Sequence, residues 1–108
     1  MDEREFMAAA DAELARIETA LDAASETGVA DFDCETKPGG VIEIEFANGS
    51  KILLNRHGAA REIWLAAKSG GYHFRPEGGR WLGTRDGEEL LAAVARTVSE
   101  QAGVRIKL

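Results

Sequence analysis

With 108 residues, 19 acidic and 13 basic side chains and a formal net charge of −6, the chain suits one domain with a modest hydrophobic core. Its single cysteine, Cys34, excludes an intrachain disulfide and any CxxC zinc or dithiol site, and no apolar run approaches the roughly 20 residues of a membrane-spanning helix. The start, MDEREF, is acidic where a secretory or transit leader would be basic, so a cytoplasmic protein of bacterial type is expected.

The clearest element is a helix from residue 3 to about 24. Phe6, Ala10, Leu14, Ile17 and Leu21 recur at spacings of three and four and cover an arc of about 80°, a core-facing stripe. Asp11, Glu18 and Asp22 fall together on its flank, Glu13 lies at the other margin, and Glu5 and Arg16 point away. Gly28 stops the helix or lies just beyond it, which leaves Glu26 in the connector.

The middle of the chain predicts an antiparallel meander. In DFDCE, the first strand (31 to 36) puts Asp31, Asp33 and Glu35 on one face and Phe32 and Cys34 on the other. After the KPGG turn, VIEIEF (41 to 46) alternates Ile42, Ile44 and Phe46 inward with Glu43 and Glu45 outward. Asn48-Gly49 is a strong hairpin signal before KILLNR (51 to 56). EIWLAA (62 to 67), YHF (72 to 74) and RWLGT (80 to 84) follow, separated by KSGG and PEGG turns.

A second helix is expected from near Asp86, with Asp86 as N-cap and Glu88 and Glu89 in the first turn. Leu90, Leu91, Val94, Val98 and Ala102 form its stripe, Gly103 ends it, and the VRIKL tail alternates. The predicted fold class is α+β: a two-layer sandwich with both helices on one face of a five- to six-stranded antiparallel sheet, in a single domain over residues 1–108. The other sheet face is left to water.

Charge is concentrated at one end. Residues 1 to 35 hold eleven acids against two arginines, a net of −9, and the remainder is +3. Such an acidic third repels nucleic acid phosphates and attracts cations or a basic protein surface. Asp11, Glu18, Asp22, Glu26, Asp31, Asp33 and Glu35 would form one ridge if helix and strand lie side by side. Carboxylates are hard ligands suited to Fe²⁺, Fe³⁺, Mn²⁺, Ca²⁺ or Mg²⁺, and this pattern builds no closed cage, so weak and exchangeable binding is expected. The competing reading is that these acids only confer solubility and block edge-to-edge strand pairing.

Alternation leaves Trp64 on the open sheet face near Asn55, because Ile63 and Leu65 point inward. An indole there is either a contact surface or is covered by neighbours such as Arg56, Lys68 or His73. His57 and His73 read as surface or strand residues, since neither has a carboxylate at ligand spacing. Cys34 reads as a small inward apolar residue. No nucleophile elbow, Walker loop or dinucleotide fingerprint occurs, and paired glycines mark turns, so the chain is not expected to be an enzyme.

IEFANGSKILLNR and EIWLAAKSGGYHF, together with DCE, the tryptophan of RWLGTRDGEEL and the closing QAG, resemble the frataxin family in its bacterial CyaY branch. The resemblance implies weak iron binding and a regulatory partnership with cysteine desulfurase and the scaffold machinery of iron–sulfur cluster assembly. It assigns the metal ridge to the helix and first strand, with the best register at Glu18, Asp22, Asp31, Asp33 and Glu35. Partner contacts would come from Glu18, Asp22, Asp31, Asp33, Asn55 and Trp64. Glu62 stands where eukaryotic members commonly have glutamine. A monomer is expected, with iron-dependent oligomerisation through metal-bridged ridges as the alternative. A ferroxidase or iron store is the alternative of the enzyme class, and a metal-indifferent acidic adaptor is the structural one.

Overall fold

All 108 residues are described by a computed structural model of the chain. Helix α1 (Glu3–Glu26) starts at a capping box: the Asp2 carboxylate accepts from the Glu5 amide at 2.8 Å, and the Glu5 side chain reaches back to the Asp2 amide. The stripe Phe6, Ala10, Leu14, Ile17 and Leu21 is buried, and Glu13 at its margin is buried as well, held by Arg16 at 3.1 Å. The helix runs two residues beyond its expected end. Thr27 closes it by donating its hydroxyl to the Ala24 carbonyl, and Gly28 takes a φ of +73° just past the cap. Glu26 is therefore in the last helical turn, not in a connector.

Six strands follow: β1 (Phe32–Lys37), β2 (Val41–Phe46), β3 (Lys51–His57), β4 (Glu62–Ala67), β5 (Gly70–Glu77) and β6 (Arg80–Gly83). They form one sheet in sequence order with every neighbouring pair antiparallel. That order follows from the tight turns, since a short hairpin can only return a strand beside its predecessor. Asp31 lies just ahead of β1, and β5 is longer than YHF suggests because its pairing with β4 begins at Gly70.

Helix α2 (Leu90–Ala102) starts later than expected. Asp86 caps a turn, accepting from the Glu88 amide at 3.0 Å, while Gly87 sits at φ +77° and the Gly83 amide donates to the Glu88 carbonyl. Glu89, whose side chain makes no cap, occupies the N-cap position. Gly103 ends the helix in the left-handed conformation, as expected.

The core lies between the helices and the inner face of the sheet. Ile42, Ile44, Ile52, Leu54, Ile63, Leu65 and Phe74 meet the stripes of α1 and of α2 (Leu90, Val94, Val98), with Leu91 and Ala102 at its edge. Each such large side chain contributes about 1.5–3 kcal/mol on burial. Two polar ties fix the C-terminal end of α2 and the tail that follows it. Gln101 is buried and joins α2 to two turns: it donates to Ser50 and to the Lys51 carbonyl and accepts from the Lys68 amide at 2.8 Å. The Ser99 hydroxyl accepts from the Ile106 amide at 2.8 Å and anchors the tail.

Candidate functional site

The acidic residues bracket one edge of the sheet. β1 is the edge strand, with Phe32 buried and Cys34 partly buried on its helix side, so Asp33 and Glu35 stand on the opposite, open face. On the helix side, the charges of Asp22 and Glu18 reach Cys34. The carboxylates therefore wrap β1 from both sides and do not line a single face. Asp22, Glu26, Asp31, Asp33 and Glu35 are exposed and Glu18 is half-buried. None of these six forms a salt bridge.

Strand register enlarges this field. Asp33 stands opposite Glu45 and Glu35 opposite Glu43. Like charges directly opposite oppose pairing, and two lysines offset part of the repulsion. Lys37 lies 3.0 Å from Glu43, and Lys51 lies 3.6 Å from Glu43 and 3.8 Å from Glu45. The Lys37 hydrogen bond, aided by the charges of Lys37 and Lys51, holds Glu43 below the ordinary carboxylate range against the opposing effect of desolvation. Glu43 and Glu45 read in sequence as outward residues without a role; the KPGG turn that sets their register was the signal.

Asp11 is set apart from the other carboxylates. Arg56 leaves β3 on the helix side and pairs with it, crossing over Gly40, where an added Cβ would meet the arginine side chain at 2.6 Å. Asp11 and Glu18 line a cleft of about 190 Å³ between α1 and the β1–β2 turn, with Lys37 also on its wall. Across the chain no three Asp, Glu, His or Cys side chains converge as a metal cage would require. The donor set is thus chemically suited to hard cations and geometrically suited to diffuse, exchangeable binding. Cys34 is a poor ligand here: burial, reinforced by Asp22 and Glu18, pushes its thiol up to about 11.

The second constellation is centred on Trp64. It pairs with Asn55 of β3, as alternation requires, but its ring is not bare. His57 stacks on one face with centroids 4.0 Å apart and His73 on the other at 4.4 Å, both within 11° of parallel. The indole Nε1 donates to Glu62 at 2.8 Å. Glu62 is only 6% exposed although it lies on the solvent side of the sheet. Arg75 Nε donates to its other oxygen at 3.0 Å, and His73 Nδ1 lies 3.3 Å away. Burial pushes Glu62 up, but the hydrogen bonds from Trp64 and Arg75 and the charges of His73 and Arg75 prevail, so it stays below the usual carboxylate range. Of the candidate covers for Trp64, His73 is observed. Arg56 is committed to Asp11 on the other face. Asn55 is half-buried beside the stack and donates to the Arg56 carbonyl at 3.3 Å.

Comparison with known proteins fits this architecture. A family model described as a frataxin-like domain matches residues 1–104. The iron–sulfur cluster assembly protein CyaY of Dechloromonas aromatica is 52% identical over 108 residues, covering 100% of this chain and 99% of that protein. The corresponding protein of Cupriavidus pinatubonensis is 48% identical over 108 residues, covering 100% of this chain and 96% of its own. Among solved structures, the frataxin of Psychromonas ingrahamii superposes with a TM-score of 0.80 at 25% identity, covering 99% of this chain and 97% of that one. Trimeric yeast frataxin from Saccharomyces cerevisiae, in a ferrous complex, gives 0.74 at 26% identity, with coverages of 88% and 86%. No helix of the chain is long and apolar enough to cross a membrane. Two helices on one face of a six-stranded antiparallel sheet, an acid-wrapped edge strand and whole-length similarity establish that the chain belongs to the frataxin family.

Proposed function

We propose that the chain acts in iron–sulfur cluster assembly as a non-enzymatic, iron-binding regulator of cysteine desulfurase. The observation that carries this reading is the set of carboxylates wrapping β1 without ion-pair partners, in a chain similar over its whole length to proteins named for cluster assembly. Glu18, Asp22, Glu26, Asp31, Asp33 and Glu35 would hold ferrous or ferric iron weakly, with Asp11 joining only when it leaves Arg56. The same charges would steer a basic patch of the desulfurase to this edge, raising the encounter rate and making binding salt-sensitive. Asn55 and Trp64 on the neighbouring open face would supply shorter-range contact. Iron bound at the ridge partly neutralises it, so iron supply and docking are coupled through charge. NMR titrations with Fe²⁺ and, separately, with desulfurase test the reading. Both should perturb the backbone amides of residues 11–35; perturbation of disjoint sets would overturn it.

A further inference from the structure

The stack around Trp64 contains a role that neither the acidic ridge nor the fold accounts for. Glu62 is a nearly buried carboxylate on the side of the sheet that faces water, where no helix covers it. Its oxygens are engaged by Trp64 Nε1 and Arg75 Nε, with His73 beside them, and the same Nε1–H bond ties Trp64 in turn to Glu62. Both faces of the indole are occupied by His57 and His73, and its nitrogen edge is turned to Glu62. Trp64 is only half-buried, so with both faces and Nε1 engaged a partner would reach it by the edge away from Nε1.

We infer that Glu62 is the positioning residue of the sheet-face contact: it fixes the Trp64 rotamer so that the indole meets its partner by the edge. This rests on the proposed docking of the open face. An edge fits a narrow apolar slot on the partner, where shape decides affinity, and gives no platform for a cation laid over the ring. Of the other charged or titratable groups facing Glu62, Arg75 and His73 from β5 hold the carboxylate in place, while His57, its direct cross-strand neighbour on β3, makes no hydrogen bond to it. A freed indole would sample other rotamers, and that ordering would have to be recovered on docking.

The test compares Glu62→Ala, which removes the acceptor, with Glu62→Gln, which keeps an oxygen for the indole N–H and removes the charge. Two readouts are taken: hydrogen exchange of the Trp64 indole N–H by NMR, with Trp81 as internal reference, and affinity for cysteine desulfurase. Glu62→Ala should speed indole exchange about tenfold and weaken docking about tenfold, while Glu62→Gln stays within about twofold of wild type in both. Indole exchange unchanged in Glu62→Ala, or a released indole with wild-type affinity, overturns the positioning role. Glu62→Gln binding as poorly as Glu62→Ala also overturns it, by assigning the effect to charge. Trp64→Ala, with its fold verified by circular dichroism, separates the two layers. Wild-type affinity in that variant removes the sheet-face contact and the positioning role with it, whereas the indole exchange of Glu62→Ala reports on the rotamer alone.

Discussion

Replacing Trp64 with alanine should destabilise the fold markedly, although the residue sits on a face with no helix above it. The indole is stacked on both faces, at 4.0 and 4.4 Å, and each aromatic contact contributes about 0.5–1.5 kcal/mol. Its N–H also donates to an ionised, nearly buried carboxylate, a bond of about 1.5–3 kcal/mol whose loss leaves Glu62 short of a donor. A loss of about 3–4 kcal/mol is expected, which lowers the melting temperature of a domain this size by roughly 12–16 °C. Trp64→Phe should separate the contributions, keeping much of the stacking and losing only the hydrogen bond, for about half the effect. Urea denaturation followed by circular dichroism measures both variants. A loss below about 0.5 kcal/mol in Trp64→Ala, typical of an uncommitted surface residue, would show that the ring is not clamped.

Charge reversal at the ridge, Glu18→Lys with Asp22→Lys, should weaken desulfurase binding about tenfold at low ionic strength with the gap closing at high salt; equal affinity at low salt would remove the ridge from the interface. Glu62 is held below its reference value of 4.5 in the folded chain, so its stabilisation is complete above about pH 4.5 and is lost as pH falls through the lower folded value. The stability difference between wild type and Glu62→Gln should therefore narrow toward acid in pH-dependent denaturation, and a gap that widened would contradict the assignment. Cys34, with its thiol raised from 9.0 to about 11, should carry roughly 100-fold less thiolate at pH 8 than in the unfolded chain and react with iodoacetamide correspondingly slowly. Because Asp22 and Glu18 add to that shift, Asp22→Asn with Glu18→Gln should speed labelling, and so should a divalent cation bound beside them; labelling as fast in the native protein as in urea would contradict the buried placement.

Period-2 and period-3.6 patterns carry most of the fold here because nearly every element is amphipathic and nearly every connection is a short glycine turn. The stripe of α1 and the inward halves of β2, β3 and β4 lie where their spacing puts them. The start of α2 was less legible. Asp86 followed by two glutamates looks like a cap, but Gly87 at φ +77° makes a separate turn, and Glu89 bridges to Leu82 before the helix begins. A local cap signal was overridden by a tertiary strand contact. The site divides in the same way. Which carboxylates face outward follows from alternation, whereas the opposition of Asp33 to Glu45 and the capture of Asp11 by Arg56 depend on register and on an arginine reaching across Gly40. The Trp64 clamp joins side chains from three strands. His73 is its direct neighbour across β4 and β5, but His57 reaches it diagonally, a contact that spacing along the chain does not display.

The proposed coupling between iron and partner at the β1 edge is read from the affinity of cysteine desulfurase measured with and without Fe²⁺. Wild-type chain is compared with a Glu18→Gln, Asp22→Asn, Asp33→Asn, Glu35→Gln variant. Iron should change wild-type affinity, desulfurase should change iron affinity by the same factor, and both effects should vanish in the variant. An affinity indifferent to iron in the wild type, or a coupling of the same size in the variant, would contradict it.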